Sequence, residues 1–448
     1  MKKVITYGTY DLLHQGHINL LRRAKQLGDY LIVGVTTDSF DLERGKLNVC
    51  NNVMERIKAV EATGLADQIV IEEYVGQKID DIKRYGVDVF AIGSDWEGKF
   101  DYLKEFCEVV YLPRTEGISS TLLRDTEMNI RIGIVGTGSI ADRFAKEARY
   151  VSRAGLTAVY NPDIRQAERF AQENAIAAVA PTFEELSASV DAIYVASPHL
   201  THYDYTRRAL LAGKHVLCEP PFVLSKKEAV ELYALAEERG LILMVALKTA
   251  YFPAFNHLIT LLKSGTIGEI VEINSSVTTL VDESSSKLNP DAAGGSMNEN
   301  ACFPLLPIFK LLGTAYKDIR FISRFRNGTD IYTKCVMAYE NGVGSFQVGL
   351  GVKSEGSLIV SGTKGYAYVP APWWKPDYFE LRYENPESNR KFFYPYQGSG
   401  LRYEIKAFLS GIIGTTNSFS SLSYHENIIM AEIQETFLAQ KPDTILTI

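Results

Sequence analysis

The sequence predicts an α/β protein built from more than one domain. Its 448 residues exceed what one hydrophobic core usually organises, so two or three domains are expected. A short apolar run at 4–7 is followed by a glycine and then by apolar residues at helical spacing. The same order of strand, glycine-rich turn and helix returns at 130–145. Repeated units of this kind are typical of parallel sheets covered by helices.

Two histidines lie where the first predicted strand gives way to the first predicted helix. Val4–Tyr7 predicts a buried parallel strand, and the apolar spacing predicts a helix from His17 onward. His14 and His17 therefore fall at a sheet edge that binds ligands and at a helix amino terminus that attracts phosphate. Donating imidazoles there suit nucleotidyl transfer, in which oxygens on the α-phosphorus gain charge. A bare His-x-x-His is more often a surface pair, but this one is embedded in Gly8-Thr9-x-Asp11-x-x-His14-x-Gly16-His17.

Later strands of the first domain also end in polar residues. We expect strands at 30–35, 68–71, 87–92 and 108–112, and a helix at about 52–63. Asp95 and Trp96 follow the fourth strand at the ligand edge, although a core position for Trp96 is an equal alternative. Ser119 is a natural helix N-cap. The alternative is that Ser119, Ser120 and Thr121 receive phosphates at a helix amino terminus.

From Met1 to about Met128 the chain resembles the cytidylyltransferases of the HxGH nucleotidyltransferase superfamily. The resemblance rests on the histidine motif, on Gly93-Ser94-Asp95-Trp96-Glu97-Gly98-Lys99-Phe100 and on Tyr111-Leu112-Pro113-Arg114-Thr115-Glu116-Gly117-Ile118-Ser119-Ser120-Thr121. The Asp-Trp-Glu-Gly-Lys-Phe string resembles the glycerol-phosphate branch. It implies transfer of CMP from CTP, with Mg²⁺, to sn-glycerol 3-phosphate. The products would be pyrophosphate and CDP-glycerol for a teichoic-acid-like or capsular polymer, and ribitol phosphate is the alternative acceptor.

The resemblance also implies roles for individual residues. The two histidines would stabilise the developing charge, Lys46 with Arg44 would hold the triphosphate, and Arg114 would clamp the leaving pyrophosphate. Further residues of the implied nucleotide site are Gly8, Thr9, Asp11, Asp95, Trp96, Thr115, Ser119, Ser120 and Thr121. From the residues alone, the loop with Arg44 and Lys46 is equally well a solvated basic loop. Gly64 replaces a family arginine, which leaves the acceptor preference open.

Composition and charge narrow the class of protein. Hydrophobic residues make up 46% of the chain and charged residues 23%, as in ordinary soluble globular proteins. A net charge of −7 argues against nucleic acid as the main partner. No run is long and apolar enough to span a membrane, and the start lacks the shape of a signal peptide. Five cysteines without a C-x-x-C pair are expected to be reduced thiols of a cytoplasmic protein.

A glycine-rich turn opens the second domain. After a predicted strand at Ile130–Val135, Gly136-Thr137-Gly138-Ser139-Ile140-Ala141 leads into a helix, which is the order of the dinucleotide-binding fingerprint. The first glycine makes the turn, and the second lets a pyrophosphate approach. The next strand ends at Asn161, where an acid would indicate NAD. Asp163 follows and Arg165 suits a 2′-phosphate, so NAD and NADP both stay open.

From about residue 130 to its end the chain resembles the glucose-fructose oxidoreductase/inositol dehydrogenase (Gfo/Idh/MocA) family. The resemblance rests on the fingerprint and on Ala212-Gly213-Lys214-His215-Val216-Leu217-Cys218-Glu219-Pro220-Pro221. It implies an NAD(P)-binding Rossmann domain, with Glu219 among the cofactor-binding residues, followed by an α+β domain with a large open sheet. We therefore expect domains at 1–128, 129–247 and 248–448.

Two acid/base groups of that family are absent. The lysine of its Glu-Lys-Pro motif is Pro220 here, and its His or Tyr near the substrate carbon is Phe303. Our hypothesis is that Lys248 with Glu299, and Tyr251 as a further candidate, supplies the proton for carbonyl reduction. A structural Lys248–Glu299 pair in a non-catalytic cleft is the alternative. The second half is then either an oxidoreductase for a polyol phosphate or a silent binding or dimerisation module. In both cases we expect a homo-oligomer.

Overall fold

A computed structural model of the chain separates into two compact units. The first spans Met1–Asn129 and the second Ile130–Ile448. The structure describes residues 1–43, 49, 51–74, 76–113, 129–394, 398–414, 422–439 and 444–445. Among the helices in these ranges, none has both the length and the apolar character needed to cross a membrane.

The first unit contains a five-stranded parallel sheet. Its strands are β1 Lys3–Gly8, β2 Tyr30–Thr36, β3 Gln68–Glu72, β4 Val89–Gly93 and β5 Glu108–Leu112. They lie in the order β3-β2-β1-β4-β5. The predicted strands are confirmed, since each lies within about two residues of its expected bounds. The chain order reverses between β1 and β4, so a ligand crevice is expected beyond their carboxyl ends.

The described helices of the first unit cover this sheet. They are α1 Gln15–Lys25, α2 Asp38–Glu43, α3 Val53–Glu61 and α4 Gln77–Tyr85. Helix α1 begins before the predicted start at His17, because His14 caps it. Leu21 and Ala24 of α1 pack in one core cluster with Val33 of the sheet. This packing fixes the helix start over the carboxyl end of β1.

The second unit begins with a six-stranded parallel sheet. Its strands are β6 Ile130–Val135, β7 Ala154–Tyr160, β8 Ala178–Val179, β9 Ala192–Val195, β10 His215–Cys218 and β11 Leu243–Val245. They lie in the order β11-β10-β9-β6-β7-β8. Its helices are α5 Ser139–Ala148, α6 Ile164–Glu173, α7 Phe183–Ser189, α8 His202–Leu211 and α9 Lys226–Glu238. The chain order reverses between β6 and β9, which gives this sheet a ligand edge of its own.

A mixed nine-stranded sheet follows, in the order β19-β18-β17-β16-β12-β15-β14-β13-β20. Its strands are β12 Ile270–Thr278, β13 Asp318–Arg326, β14 Thr329–Ala338, β15 Val343–Gly349, β16 Leu358–Gly362, β17 Gly365–Val369, β18 Tyr378–Tyr383, β19 Arg390–Phe393 and β20 Thr444–Ile445. The helices in this part of the chain are α10 Pro253–Lys263, α11 Ser296–Asn300, α12 Cys302–Leu312, α13 Leu401–Ile412 and α14 Tyr424–Ala439. The predicted open sheet is confirmed.

Strand β14 departs most from the sequence expectation for this sheet. A strand is predicted at Cys335–Tyr339, whereas β14 begins at Thr329. The first half of β14 carries Thr329, Asp330 and Thr333, which are buried although polar. Asp330 Oδ2 accepts hydrogen bonds from the Met297 N–H and the Thr333 hydroxyl, each at 3.0 Å. Because these buried positions are polar, the first half of β14 lacks the alternation of apolar and polar residues from which a strand is predicted.

Helix α13 lies far along the chain but belongs to the core of the six-stranded sheet. Its Leu401 and Ile405 are buried in one cluster with Phe144 of α5. Arg402 Nε donates to Glu147 Oε2 at 2.9 Å, and both side chains are nearly buried. Helix α13 is thereby fixed against α5, the helix that follows the glycine-rich turn.

Candidate functional site

His14 and His17 cap the amino terminus of α1 with their own side chains. The Gly16 N–H donates to His14 Nδ1 at 3.0 Å, and the His14 N–H donates to His17 Nδ1 over a longer 3.5 Å. The two rings stack, with centroids 3.9 Å apart and 19° between their planes. This is a capping box in which imidazole nitrogens take the place of the usual hydroxyl and carboxylate acceptors.

The capping contacts decide which nitrogen of each ring carries the proton. A nitrogen that accepts a hydrogen bond holds no proton, so both rings in their neutral form carry it on Nε2. Each ring can then donate one N–H away from the helix backbone. Two stacked donors, together with the partial positive charge of the helix terminus, suit the oxygens of a phosphate group.

Buried polar contacts hold the turn before the histidines. A Cβ at Gly8 would lie 2.9 Å from the Tyr10 ring, so only glycine lets that ring pack here. Thr9 Oγ1 donates to Asp41 Oδ1 at 2.9 Å. Arg56 is fully buried and donates from Nη1 to Thr9 O at 2.8 Å and to Asp41 Oδ2 at 3.1 Å. Gly8 and Thr9 thus shape the turn, and Arg56 is the structural cation beneath it.

Asp11, Asp95 and Trp96 lie at the same edge. Asp11 is buried, and its Oδ1 accepts from the Asn51 N–H at 2.9 Å. Asp95 and Trp96 lie in a short 3-10 helix directly after β4, which pairs with β1. Trp96 is 40% exposed, and Lys99 Nζ lies 5.0 Å from the centre of its ring. Trp96 is therefore a surface side chain near the crevice and not a core residue.

The other residues predicted for this site lie outside the described ranges. They are Arg44, Lys46, Arg114, Thr115, Ser119, Ser120 and Thr121. Their contacts with a nucleotide stay predictions. Across the part of the chain that the structure describes, no group of three or more His, Cys, Asp or Glu side chains could hold a metal ion.

The glycine-rich turn after β6 has the geometry that a dinucleotide requires. Gly136 has a φ of 102°, and a Cβ there would lie 2.3 Å from Ala196 O at the end of β9. Only glycine fits that approach. A Cβ at Gly138 would meet no atom within 4 Å, so the turn has room above this residue. Helix α5 starts at Ser139, and its first N–H groups, at Ser139 and Ile140, border the turn.

Asn161 follows β7 and contacts the same turn. Its Nδ2 donates to Thr137 Oγ1 at 2.7 Å, and its Oδ1 accepts from the Asp163 N–H at 2.9 Å. Asp163 caps α6 by accepting from the Arg165 N–H at 3.0 Å. Asn161 thus stands where the ribose-binding acid of such sites is expected, while Asp163 serves as a helix cap.

A buried acid–base cluster lies at the carboxyl ends of β10 and β11. Glu219 follows β10 and accepts a hydrogen bond from the Tyr194 hydroxyl. Burial raises the pKa of Glu219 to about 7. Lys248 opens the short helix after β11, and burial, assisted by Lys375, lowers its pKa to about 8. A carboxyl and an amine that titrate near neutral pH suit acid–base catalysis.

Sequence reasoning missed the third member of this cluster, Glu404. It lies on α13 and is 0% exposed. Neither of its carboxylate oxygens has a hydrogen-bond partner among the described residues. Burial raises the pKa of Glu404 well above its usual range, the charge of Glu219 raises it further, and Lys248 opposes both. In the sequence, a single glutamate between Tyr403 and Ile405 carries no signal, because its burial follows only from the packing of α13.

Glu299 has partners other than Lys248. Its Oε1 lies 3.6 Å from His199 Nε2, and its Oε2 lies 2.5 Å from Lys287 Nζ. A Lys248–Glu299 ion pair, expected in both interpretations of the sequence, is absent from the contacts of the described residues. Lys248 Nζ instead donates to Ser399 O at 3.4 Å, and His199 is a further imidazole beside Glu299 that the sequence did not indicate.

Residues 5–126 match the family Cytidylyltransferase-like. Over 124 residues the chain is 53% identical to a "Glycerol-3-phosphate cytidylyltransferase" of Bacillus spizizenii, a match that covers 28% of this chain and 95% of that protein.

Residues 130–247 match the Gfo/Idh/MocA oxidoreductase family with its NAD-binding Rossmann fold. Over 286 residues the chain is 31% identical to a "Trans-1,2-dihydrobenzene-1,2-diol dehydrogenase" of Oryctolagus cuniculus, covering 61% of this chain and 87% of that protein. The crystal structure of a 3-ketoreductase from Actinomadura kijaniata, in complex with NADP and TDP-benzene, shares the fold. Its TM-score is 0.61 at 21% identity, over 71% of this chain and 100% of that one. The chain therefore belongs to two families, to the cytidylyltransferase-like family through residues 5–126 and to the Gfo/Idh/MocA oxidoreductase family through residues 130–247.

Proposed function

We propose that the first unit transfers CMP from CTP to sn-glycerol 3-phosphate, forming CDP-glycerol and pyrophosphate. One observation carries this proposal: the stacked His14–His17 capping pair stands at the crevice where β1 and β4 meet. The identity of 53% to a relative with that name supports glycerol 3-phosphate as the acceptor.

In the proposed reaction, an oxygen of the acceptor phosphate attacks the α-phosphorus of CTP in line. The bond from that phosphorus to pyrophosphate breaks. The Nε2–H groups of His14 and His17 stabilise the non-bridging oxygens as charge builds on them. Arg44, Lys46, Arg114 and Ser119–Thr121 would hold the β- and γ-phosphates, a part of the proposal that rests on the resemblance alone.

Mg²⁺ would enter with CTP. The described residues offer no cluster of ligands that could bind it unaided. Mg²⁺ commonly keeps several waters and binds through one or two carboxylates plus substrate phosphates. The phosphates of CTP would therefore supply most of its ligands, and the protein would supply cations and N–H donors around them.

Release of pyrophosphate from CTP tests this function. The assay compares sn-glycerol 3-phosphate, ribitol 5-phosphate and buffer alone as acceptors. We expect turnover with glycerol 3-phosphate to exceed that with ribitol 5-phosphate by at least about tenfold, a difference in transition-state stabilisation of about 1.4 kcal/mol. Faster turnover with ribitol 5-phosphate would move the proposal to that acceptor, and no release with either would refute it.

A second activity is supported by the glycine-rich turn and the buried cluster. We propose that the second unit binds NAD(P) and interconverts an alcohol and a carbonyl of a compound related to the polyol phosphates. When bound, the nicotinamide supplies or accepts the hydride. The residues that would hold the cofactor are Gly136, Gly138, Ser139, Ile140, Asn161 and Glu219. Lys248 would hold the proton that the substrate oxygen gains or loses.

Mass spectrometry of small molecules released on denaturation tests this second activity. We expect NAD(H) or NADP(H) near one per chain, or a rise in melting temperature when either is added. Gly136→Ala should abolish both, because its Cβ would collide with Ala196 O. Gly411→Ala is the matched control, because a Cβ there meets only ordinary contacts at 3.6 Å. A wild-type protein that neither releases nor responds to a nicotinamide nucleotide would refute the activity and favour a silent module.

We also propose a cytoplasmic homo-oligomer. The four described cysteines, Cys107, Cys218, Cys302 and Cys335, are free thiols, which suits a reducing compartment. Light scattering of the purified protein would give its mass in solution, and a monomer at micromolar concentration would contradict the oligomer.

A further inference from the structure

Two carboxyls and one lysine come together from three separate elements of the second unit; Glu404 is fully buried, and Glu219 and Lys248 are half-buried. Glu219 follows β10, Lys248 follows β11, and Glu404 is on α13. Lys248 Nζ donates to Ser399 O at 3.4 Å, close to the start of α13, and Lys248 and Glu219 both act electrostatically on Glu404. Glu404 is fully buried, and no described residue donates a hydrogen bond to either of its oxygens. A carboxylate left in that state would carry a large desolvation penalty.

The charges of the cluster balance only when one carboxyl is protonated. With both carboxyls ionised, a single lysine leaves one excess negative charge in a buried site. Glu219 is the better place for the negative charge, because it accepts a hydrogen bond from the Tyr194 hydroxyl. Glu404 has no such donor among the described residues, so it is the better place for the proton.

The surrounding groups leave this balance intact. The other ionisable groups that act on the cluster are Arg143, Tyr194, Tyr251, Cys302 and Lys375. The tyrosines and the thiol are neutral near pH 7, because burial raises the pKa of each. Arg143 is exposed, so solvent screens its charge. Lys375 is partly exposed, and its positive charge disfavours the protonated form of Lys248.

We propose that Glu404 holds a proton at neutral pH and is the positioning residue that leaves Lys248 facing a single carboxylate. Lys248 then keeps a proton that it can exchange with a substrate oxygen, in place of the acid/base groups absent at Pro220 and Phe303. With two carboxylates opposite it, Lys248 would retain that proton too firmly to exchange it. This inference rests on the proposed oxidoreductase function for its purpose, but its physical content is the protonation of Glu404.

Infrared spectroscopy of the full chain tests the protonation directly. We expect the carbonyl stretch of a protonated carboxyl at pH 7 in the wild type, and a clear loss of its intensity in Glu404→Gln, with any remainder belonging to Glu219 and Asp330. Glu147→Gln is the matched control, because Glu147 is also buried but is ion-paired with Arg402. A wild-type spectrum without that band, or a band of undiminished intensity in Glu404→Gln, would overturn the inference.

The acylation rate of Lys248, followed by mass spectrometry of its peptide, tests the consequence. Glutamine mimics a protonated Glu404, so wild type and Glu404→Gln should agree within about twofold at pH 7, which is about 0.3 of a pKa unit for Lys248. At a pH high enough to ionise Glu404 the variant should react faster, because a negative charge on Glu404 protects Lys248 in the wild type only. Glu219→Gln removes the ionised partner and should react about fivefold faster at pH 7, because a fall of about one unit from a pKa of about 8 raises the fraction of free amine by about that factor. Equal acceleration by both variants at pH 7 would mean that Glu404 is ionised and would overturn the inference.

The same preparations separate this inference from the proposed function. Binding of NADH and NADPH is measured by thermal shift on wild type and Glu404→Gln. If the infrared and acylation results are as expected but no nucleotide binds, the protonation of Glu404 stands and the oxidoreductase function fails. If a nucleotide binds and the band is missing, the inference fails while the function stands.

Discussion

The capping box of α1 allows the folding role of His14 and His17 to be separated from their chemical role. His14→Asn keeps a strongly preferred N-cap acceptor, and His17→Gln keeps a preferred residue for the reciprocal contact at the third helical position. Both changes remove the Nε2–H donors. His14→Ala and His17→Ala remove the donors and the caps together, so the four variants form two matched pairs.

The expected magnitudes follow from these contacts. Loss of the 3.0 Å cap in His14→Ala should cost about 1 kcal/mol, which lowers the melting temperature of a unit of this size by roughly 3–5 °C. The longer 3.5 Å contact of His17 should contribute less. His14→Asn and His17→Gln should stay within about 0.5 kcal/mol of wild type. Each of the four variants should lose about 10²–10³ in kcat, the value of one preorganised donor to a developing oxyanion.

The assay is pyrophosphate release with CTP and glycerol 3-phosphate, alongside thermal unfolding followed by circular dichroism. Gln15→Ala is the control, since Gln15 lies between the two histidines and is exposed, and its side-chain Nε2 donates to Asn19 Oδ1 at 2.8 Å. It should keep both stability and turnover. If His14→Asn and His17→Gln kept more than about a tenth of wild-type kcat, the imidazoles would not be the donors inferred from the capping geometry.

Three further predictions concern buried polar groups. Arg56→Met should destabilise the first unit by about 3–5 kcal/mol in urea unfolding, because it removes the buried guanidinium that pairs with Asp41; a loss below about 1 kcal/mol would contradict this. Burial raises the pKa of Asp330 to about 6, so the native state binds more protons than the unfolded chain between about pH 4 and 6 and stability falls as pH rises through that window. Asp330→Asn should flatten this slope. In urea titrations at each pH, the fall in the free energy of unfolding across the window should be smaller than in wild type by an amount on the order of 2 kcal/mol. Tyr194→Phe should cost about 1–2 kcal/mol in the same titrations at pH 7, because Glu219 loses its hydrogen-bond donor, and an unchanged midpoint would argue against that bond.

Sequence reasoning succeeds here where burial is uniform. The strands of both parallel sheets are covered on two faces, so each is a short continuous apolar run with a sharp end at glycine or a polar residue. Val4 and Ile5 of β1 and Ile132 and Ile134 of β6 are fully buried in this way. Because the ligand edge of such a sheet follows from strand order, the place of the histidine motif and of the glycine-rich turn could be predicted with the fold.

Sequence reasoning fails where a polar residue is buried by a distant part of the chain. The start of β14 was out of reach because Asp330 takes its partners from α11. Glu299 was expected beside Lys248 because both lie in segments that face the crevice, but the direction of a side chain on a short helix is set by packing. Lys287 and His199, which pair with Glu299, lie in 3-10 helices of three residues, which are too short to give a periodic signal.

The departures of the second unit from its family are best understood through the buried cluster. If Pro220 and Phe303 marked a module that had lost all chemistry, the remaining ionisable groups of the crevice would bring only a cost, since buried charges are commonly less stable than apolar replacements of similar volume. The chain instead keeps the fully buried Glu404 together with the half-buried Glu219 and Lys248, and the ion pair of α13 to α5 holds the helix that carries Glu404. Such an arrangement gives the proton a place near the dinucleotide turn without using either of the substituted positions. We therefore favour an oxidoreductase whose acid–base group has moved within the crevice over a silent scaffold, and the protonation of Glu404 is the measurable sign of that move.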